Sequence, residues 1–161
     1  MGWGDRVIVP TDIIRRHMVE DFQAPQDKIV SIPRGVDLEH FVFSPKPFSK
    51  TPVIGMIGRV TPIKGHPDFL RALSHLKKRG FSFKAQIIGQ SKNAAYDQKL
   101  RQLARKWDIV DDVDFLGHRS DIPACLDKLD LLVLATTTPE AFGRVIIEAQ
   151  AKGVPVVATT V

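Results

Sequence analysis

Cysteine, tyrosine and glutamate are scarce in this chain: one Cys, one Tyr and four Glu among 161 residues. The lone Cys125 cannot form an internal disulfide, which excludes a cross-linked secreted scaffold. No run of 18 apolar residues occurs, so the sequence holds no candidate membrane-spanning helix. The opening MGWGDRVIVPTD lacks the basic-then-apolar layout of a secretory leader, and a cytoplasmic, reducing location is expected. Aromatic residues make up 7% of the chain and are not interleaved with a basic stripe, which argues against a nucleic-acid partner. Neither a GxxxxGK[ST] phosphate loop nor a GxGxxG fingerprint occurs, and there is no internal repeat or low-complexity segment.

What is present describes a globular chain. Hydrophobic residues reach 43% and charged residues 25%, with a mean hydropathy of -0.05. The length suits one domain with a real core and is too short for two full-sized ones. Twenty-three Lys and Arg against 18 Asp and Glu give +5, which favours an anionic partner without choosing among phosphate, nucleic acid and an acidic membrane surface. The densest basic cluster, His75 to Arg79, falls at the end of a helical pattern, where cations complement the helix dipole.

Short β-branched runs alternate with longer amphipathic ones. Strands are predicted at Arg6 to Val9, Lys28 to Ile32, Val53 to Ile57, Lys84 to Ile88, Val113 to Leu116, Leu131 to Ala135 and Pro155 to Ala158. Helices are predicted at Asp12 to Phe22, Pro67 to Arg79, Ala94 to Trp107, Ile122 to Lys128 and Phe142 to Lys152. Thr11 or Asp12 and Ser120 or Asp121 suit helix caps, and Gly80 and Gly153 suit helix stops. This alternation predicts an α/β fold: a Rossmann-like parallel sheet with helices on both faces.

The stretch from Val36 to Pro52 breaks the alternation, is rich in proline and reads as a linker. Residues 1–35 then form one β-α-β unit, too small to bury both its faces, and 53–161 a run of β-α units. The sequence stops directly after a core strand, so an incomplete domain is expected.

In such sheets ligands bind at the carboxyl ends of the strands, which singles out four strand-to-helix loops. The loop Gly58 to Gly65 places Arg59 and Lys64 at a helix amino end, where backbone N–H groups and two cations suit a diphosphate; the alternative is two solvated basic residues. In the loop after the fourth strand, Gly89 and Gln90 offer no carboxylate for a ribose, which weakens a dehydrogenase reading. The loop after the fifth strand presents Gly117, His118 and Arg119, which suit contact with a base or plain solvation. The last loop runs through Glu140, Phe142, Gly143, Arg144 and Val145 to Glu148. Two of the four glutamates lie here, eight positions apart, or roughly 12 Å along the axis if both were helical. Glu148 sits on an apolar helix and needs a bonding partner, either a ligand's hydroxyls or a nearby Lys or Arg. Gly143 admits close backbone approach, and Glu140 also suits a plain helix-start charge.

The order of a GR…KG loop, a PEAFG segment with E-x7-E spacing and a GVPVVAT strand resembles the donor-binding half of GT-B retaining glycosyltransferases, in particular family 4. The segment Ile32 to Asp37 followed by Phe41 resembles that family's crossing between its two Rossmann-like domains. The resemblance implies that Arg59 and Lys64 hold the diphosphate and stabilise the leaving group, with Glu140 on the donor sugar. It implies that Glu148 bonds the ribose, with Gly58, Phe142, Gly143, Arg144 and Val145 around the donor. Gly89, Gln90, Gly117, His118 and Arg119 would border the base. It further implies a UDP- or GDP-linked sugar donor, an acceptor sugar or glycolipid, no metal or other cofactor, and transfer with retained configuration in lipopolysaccharide, polysaccharide or glycolipid synthesis. The setting would be cytoplasmic, at the inner face of the membrane where the whole enzyme binds it peripherally. The first 35 residues would be a remnant of the acceptor-side domain, and an isolated chain would bind donor weakly without turnover. Arg34 stands where the family often has Asn, and Arg144 where it often has Leu. A nucleotide-sugar epimerase and a non-catalytic nucleotide-binding module share these features.

Overall fold

A computed structural model describes residues 4–47 and 49–161; the first three residues of the leading unit and Phe48 of the expected linker lie outside the described residues. The elements run β1 (Val7–Val9), α1 (Asp12–Glu20), β2 (Ile29–Ser31), β3 (Val53–Ile57), α2 (His66–Lys78), β4 (Lys84–Ile88) and α3 (Ala94–Lys106). They continue with β5 (Val113–Gly117), α4 (Ile122–Leu126), β6 (Leu131–Leu134), α5 (Arg144–Ala151) and β7 (Val156–Ala158). Each strand and helix predicted from the sequence is present, with β3 and β4 at their predicted bounds and the ends of the others shifted by one or two residues.

Local chemistry explains the ends. Thr11 caps α1, its hydroxyl accepting the Ile14 N–H at 3.3 Å, and Asn93 caps α3, accepting from Tyr96 at 3.1 Å. Asp121 occupies the cap position of α4 without capping it, because its carboxylate is taken by Arg119. The helix expected from Phe142 begins two residues later, at Arg144, so Glu140 lies outside it and Glu148 only a little over one turn in. The 12 Å axial separation therefore does not apply.

β3 to β7 form one parallel sheet in the order β5-β4-β3-β6-β7, and β1 and β2 pair in parallel by themselves. One face of the larger sheet is covered by α2 and α3, through Phe69, Leu70, Leu73, Leu100 and Ala104 against Ile54, Met56, Ala85 and Ile87. The other is covered by α4 and α5, through Leu126 and Ala149 against Ile57, Ile88 and Leu132. Burying a leucine such as Leu70 contributes roughly 1.5–3 kcal/mol, so the two layers on one sheet supply the core.

Among its described residues the stretch 36–52 holds no helix or strand, but it is fastened to this sheet. Phe41 packs on the second layer with Val53 and Val156, and Lys46 donates to the Leu129 carbonyl 3.3 Å from Asp130. Asp37 Oδ1 accepts the N–H groups of Glu39 and His40, which turns the chain ahead of Phe41.

Candidate functional site

The strand order puts β4 and β5 on one side of β3 and β6 and β7 on the other. Loops leaving β3 and β6 therefore diverge to opposite faces and open a crevice at their carboxyl ends, the usual ligand position in such sheets.

Three loops on one side of this point are joined by backbone bonds. Gly58 donates to Ile88, Val60 to Gln90 and Gly89 to Gly117, at 2.9, 3.2 and 2.8 Å. A Cβ on Gly89 would stand 1.8 Å from the Gly58 carbonyl oxygen, so only glycine permits the first two loops to meet. The result is a cleft of about 460 Å³ lined by Gly58, Arg59, Thr61, Gly89, Gln90, Lys92, His118 and Arg119, with Ile57, Ile88 and Ile122 as its apolar wall. Gly117 lines the adjoining cavity with Gln90 and Phe115. Arg59 is exposed and makes no ion pair among the described residues. Arg119 is already engaged: its Nε donates to Asp121 Oδ1 at 2.7 Å and its Nη2 to Oδ2. That bidentate pair raises the Arg119 pKa and holds the Asp121 carboxyl down to about 2.

The β3–α2 loop is brought to β6 by Gly65. At φ 69° it is left-handed, and a Cβ there would lie 1.7 Å from the Ala135 carbonyl oxygen. Thr137 N–H donates to Ile63 at 2.9 Å and fixes the same approach. Lys64 consequently meets Glu140 as an ion pair across the crevice, and Thr136 Oγ1 donates to the same carboxylate oxygen at 3.5 Å. On α5, Arg144 Nε donates to Glu148 Oε1 at 2.9 Å, and Glu148 is only 7% exposed. Gly143 precedes the helix in the left-handed region at φ 68°, next to Glu140. Phe142 is half-buried in the same turn and Val145 packs on the second core layer.

The predicted residues thus fall into two groups. Gly58, Arg59, Gly89, Gln90, His118 and Arg119 share the cleft, whereas Lys64 and Glu140 pair beside it and Arg144 and Glu148 pair on α5. Of the two partners open to Glu148, the chain itself supplies an arginine.

Sequence reasoning passed over four neighbours: Thr61 and Lys92 in the cleft wall, Thr136 on Glu140, and Thr11, whose hydroxyl donates to the Ala141 carbonyl at 3.1 Å. Thr11 was legible only as a cap; its reach to a loop 130 residues away is a tertiary fact. His66 is fully buried behind the Lys64 loop with both ring nitrogens lacking a full hydrogen bond, as is Thr61 Oγ1. Burial pushes the His66 pKa down to about 4, opposed by the Thr61 carbonyl and aided by the Lys64 charge. Among the described residues no group of three His, Cys, Asp or Glu is placed to hold a metal, and no helix is long and apolar enough to cross a membrane.

This arrangement is shared with known proteins. The chain is 31% identical to a D-inositol 3-phosphate glycosyltransferase of Mycobacterium marinum over 98% of its own length and 35% of that protein's. A solved glycosyltransferase from Rickettsia africae superposes with a TM-score of 0.87 at 30% identity, covering 98% of this chain and 45% of that one. Anabaena Alr3699/HepE, solved in complex with UDP and glucose, superposes with a TM-score of 0.86 at 28% identity, over 97% and 44% of the two chains. The chain therefore spans well under half the length of these relatives and corresponds to one half of a GT-B fold. The model of the glycosyl transferases group 1 family matches residues 39–161, the five-stranded sheet with its crevice, and the chain belongs to that family.

Proposed function

We propose that residues 53–161 bind the donor of a retaining glycosyltransferase that moves a sugar from a UDP- or GDP-linked donor to a sugar or glycolipid acceptor. Residues 1–35 are then the last β-α-β unit of the acceptor-side domain and 36–52 the crossing between domains. The whole enzyme works in polysaccharide, lipopolysaccharide or glycolipid synthesis, in the cytoplasm at the inner face of the membrane.

The observation that carries this function is electrostatic. Arg59 lines the cleft with no carboxylate against it among the described residues, and Lys64 stands beside it in a pair that a more highly charged anion can reorganise. A diphosphate between them receives a bidentate guanidinium and an ammonium at the amino end of α2. The base extends between the Gly89 and Gly117 loops over Ile57, Ile88 and Ile122. The ribose hydroxyls reach Glu148, and Glu140 accepts hydroxyls of the donor sugar once Lys64 turns to the diphosphate.

In the reaction the bond between the anomeric carbon and the β-phosphate oxygen breaks, and its electron pair goes to that oxygen. The acceptor oxygen bonds the same carbon from the same face, and its proton passes to the departing diphosphate. Arg59 and Lys64 lower the barrier by stabilising charge on the leaving group, a contribution on the order of a few kcal/mol. Glu140 holds and orients the sugar.

Calorimetry of the chain with UDP, GDP and UDP-glucose tests this function. Binding of at least one ribonucleoside diphosphate, weakened at least tenfold by Arg59→Ala and by Glu148→Ala, is expected. A folded protein that binds none of them, or variants that bind like wild type, would sink it.

A further inference from the structure

We propose that Arg144 is the positioning residue for Glu148, so that selection of ribose over deoxyribose depends on a side chain outside the E-x7-E pair. The proposal rests on the donor function above. Glu148 is a carboxylate 7% exposed, on a helix face whose next residue, Ala149, is fully buried in the core. Such a group needs a donor of its own, because a carboxylate withdrawn from water without one is strongly disfavoured. Arg144 supplies it from one turn earlier on α5, Nε to Oε1 at 2.9 Å, a spacing that the helix itself sets. No other cation pairs with Glu148 among the described residues, and Oε2 accepts no bond from them. With Oε1 bonded to Arg144, the carboxylate is restrained and Oε2 keeps two lone pairs for a vicinal diol.

A leucine at this position would leave the carboxylate to be oriented by the ligand alone. The Arg144 side chain is 66% exposed at the first turn of α5, which makes a direct phosphate contact the competing role. The two roles differ in what they discriminate. A phosphate ligand distinguishes UDP from uridine, whereas a residue acting through Glu148 distinguishes UDP from 2′-deoxyUDP and affects uridine too.

The test is calorimetry of the whole chain with UDP, 2′-deoxyUDP and uridine, or the guanine series if only GDP binds. Wild type is expected to prefer UDP over its 2′-deoxy form by about 10- to 100-fold, the range for a hydrogen bond to a charged acceptor. Arg144→Leu is expected to cut that preference below about threefold and to weaken uridine as much as UDP, while Arg144→Lys restores most of it. Should Arg144→Leu not fold, Arg144→Gln carries the same measurement. An unchanged ratio, or a loss confined to UDP, overturns the positioning role and makes Arg144 a bystander or a phosphate ligand. Wild type that binds UDP without any 2′-hydroxyl preference refutes the ribose contact and the positioning role together but leaves the donor site standing. Failure to bind UDP and GDP removes the donor function itself.

Discussion

Lys64 offers the sharpest separation between a role in ligand binding and a role in folding. Its ammonium pairs with Glu140, the side chains being 16% and 28% exposed, so the pair lies between the surface and buried extremes. Surface pairs contribute about 0–1 kcal/mol, while breaking a fully buried one costs about 3–5 kcal/mol. Lys64→Ala should accordingly destabilise the chain by about 1–2 kcal/mol, or roughly 2–8 °C in Tm for a chain of this size. Thr136 Oγ1 at 3.5 Å from the Glu140 carboxylate keeps that group from being orphaned altogether. The ligand effect is separate and larger. Loss of a charge-assisted bond to the diphosphate is worth about 1.5–3 kcal/mol, which converts to about 10- to 100-fold in Kd. Uridine, which has no phosphate, should lose less than about twofold. Titration calorimetry with both ligands, alongside thermal melts of Lys64→Ala, Glu140→Gln and the double variant, measures each quantity. Equal losses for UDP and uridine would show that Lys64 acts through the fold, and no loss for either would remove it from the site.

The glycine at the crevice gives a second expectation. Gly65→Ala must both hold φ 69° and place a Cβ 1.7 Å from the Ala135 carbonyl oxygen, so a loss of more than about 2 kcal/mol in urea unfolding is expected. Gly117→Ala, at φ 68° with nothing within 4 Å of its Cβ, should lose only the conformational cost of about 1–2 kcal/mol, and equal losses at both positions would contradict the close approach. His66 gives a third. Its pKa is lowered from 6.5 to about 4 on folding, so the unfolded chain binds the extra proton between those values. The neutral ring's contribution is complete above pH 6.5 and is lost as pH falls toward 4, by about 3 kcal/mol in total. His66→Leu should flatten the rise of Tm between pH 5 and 7; a slope identical to wild type would mean that the ring is not held neutral.

Local signals in the sequence located each strand and helix because their causes are local. Short, near-continuous apolar runs mark β3 and β4, amphipathic period marks α2 and α3, and Gly80 and Gly153 end α2 and α5 with φ of 81° and 78°. The start of α5 was misjudged by two residues, because Phe142 and Gly143 read as helical by composition while Gly143 takes a left-handed turn. The stretch 36–52 reads as a linker, and its attachment to the sheet is silent in the sequence because it uses single long-range contacts, Phe41 on the core and Lys46 on Asp130, which carry no period.

The amino-acid sequence by itself determined the fold class and the family and marked the loops that hold the candidate site residues, since strand and helix patterns and short motifs depend on neighbours a few positions away. Only the tertiary structure decided which of those residues meet. It joined Lys64 to Glu140 across 76 residues and left Arg59 without a carboxylate among the described residues, whereas the Arg144–Glu148 pair follows from helix spacing alone. The physical reason is that the strand order β5-β4-β3-β6-β7 and the close approach at Gly65 set the distances between charges, and a pair's energy follows distance rather than sequence separation.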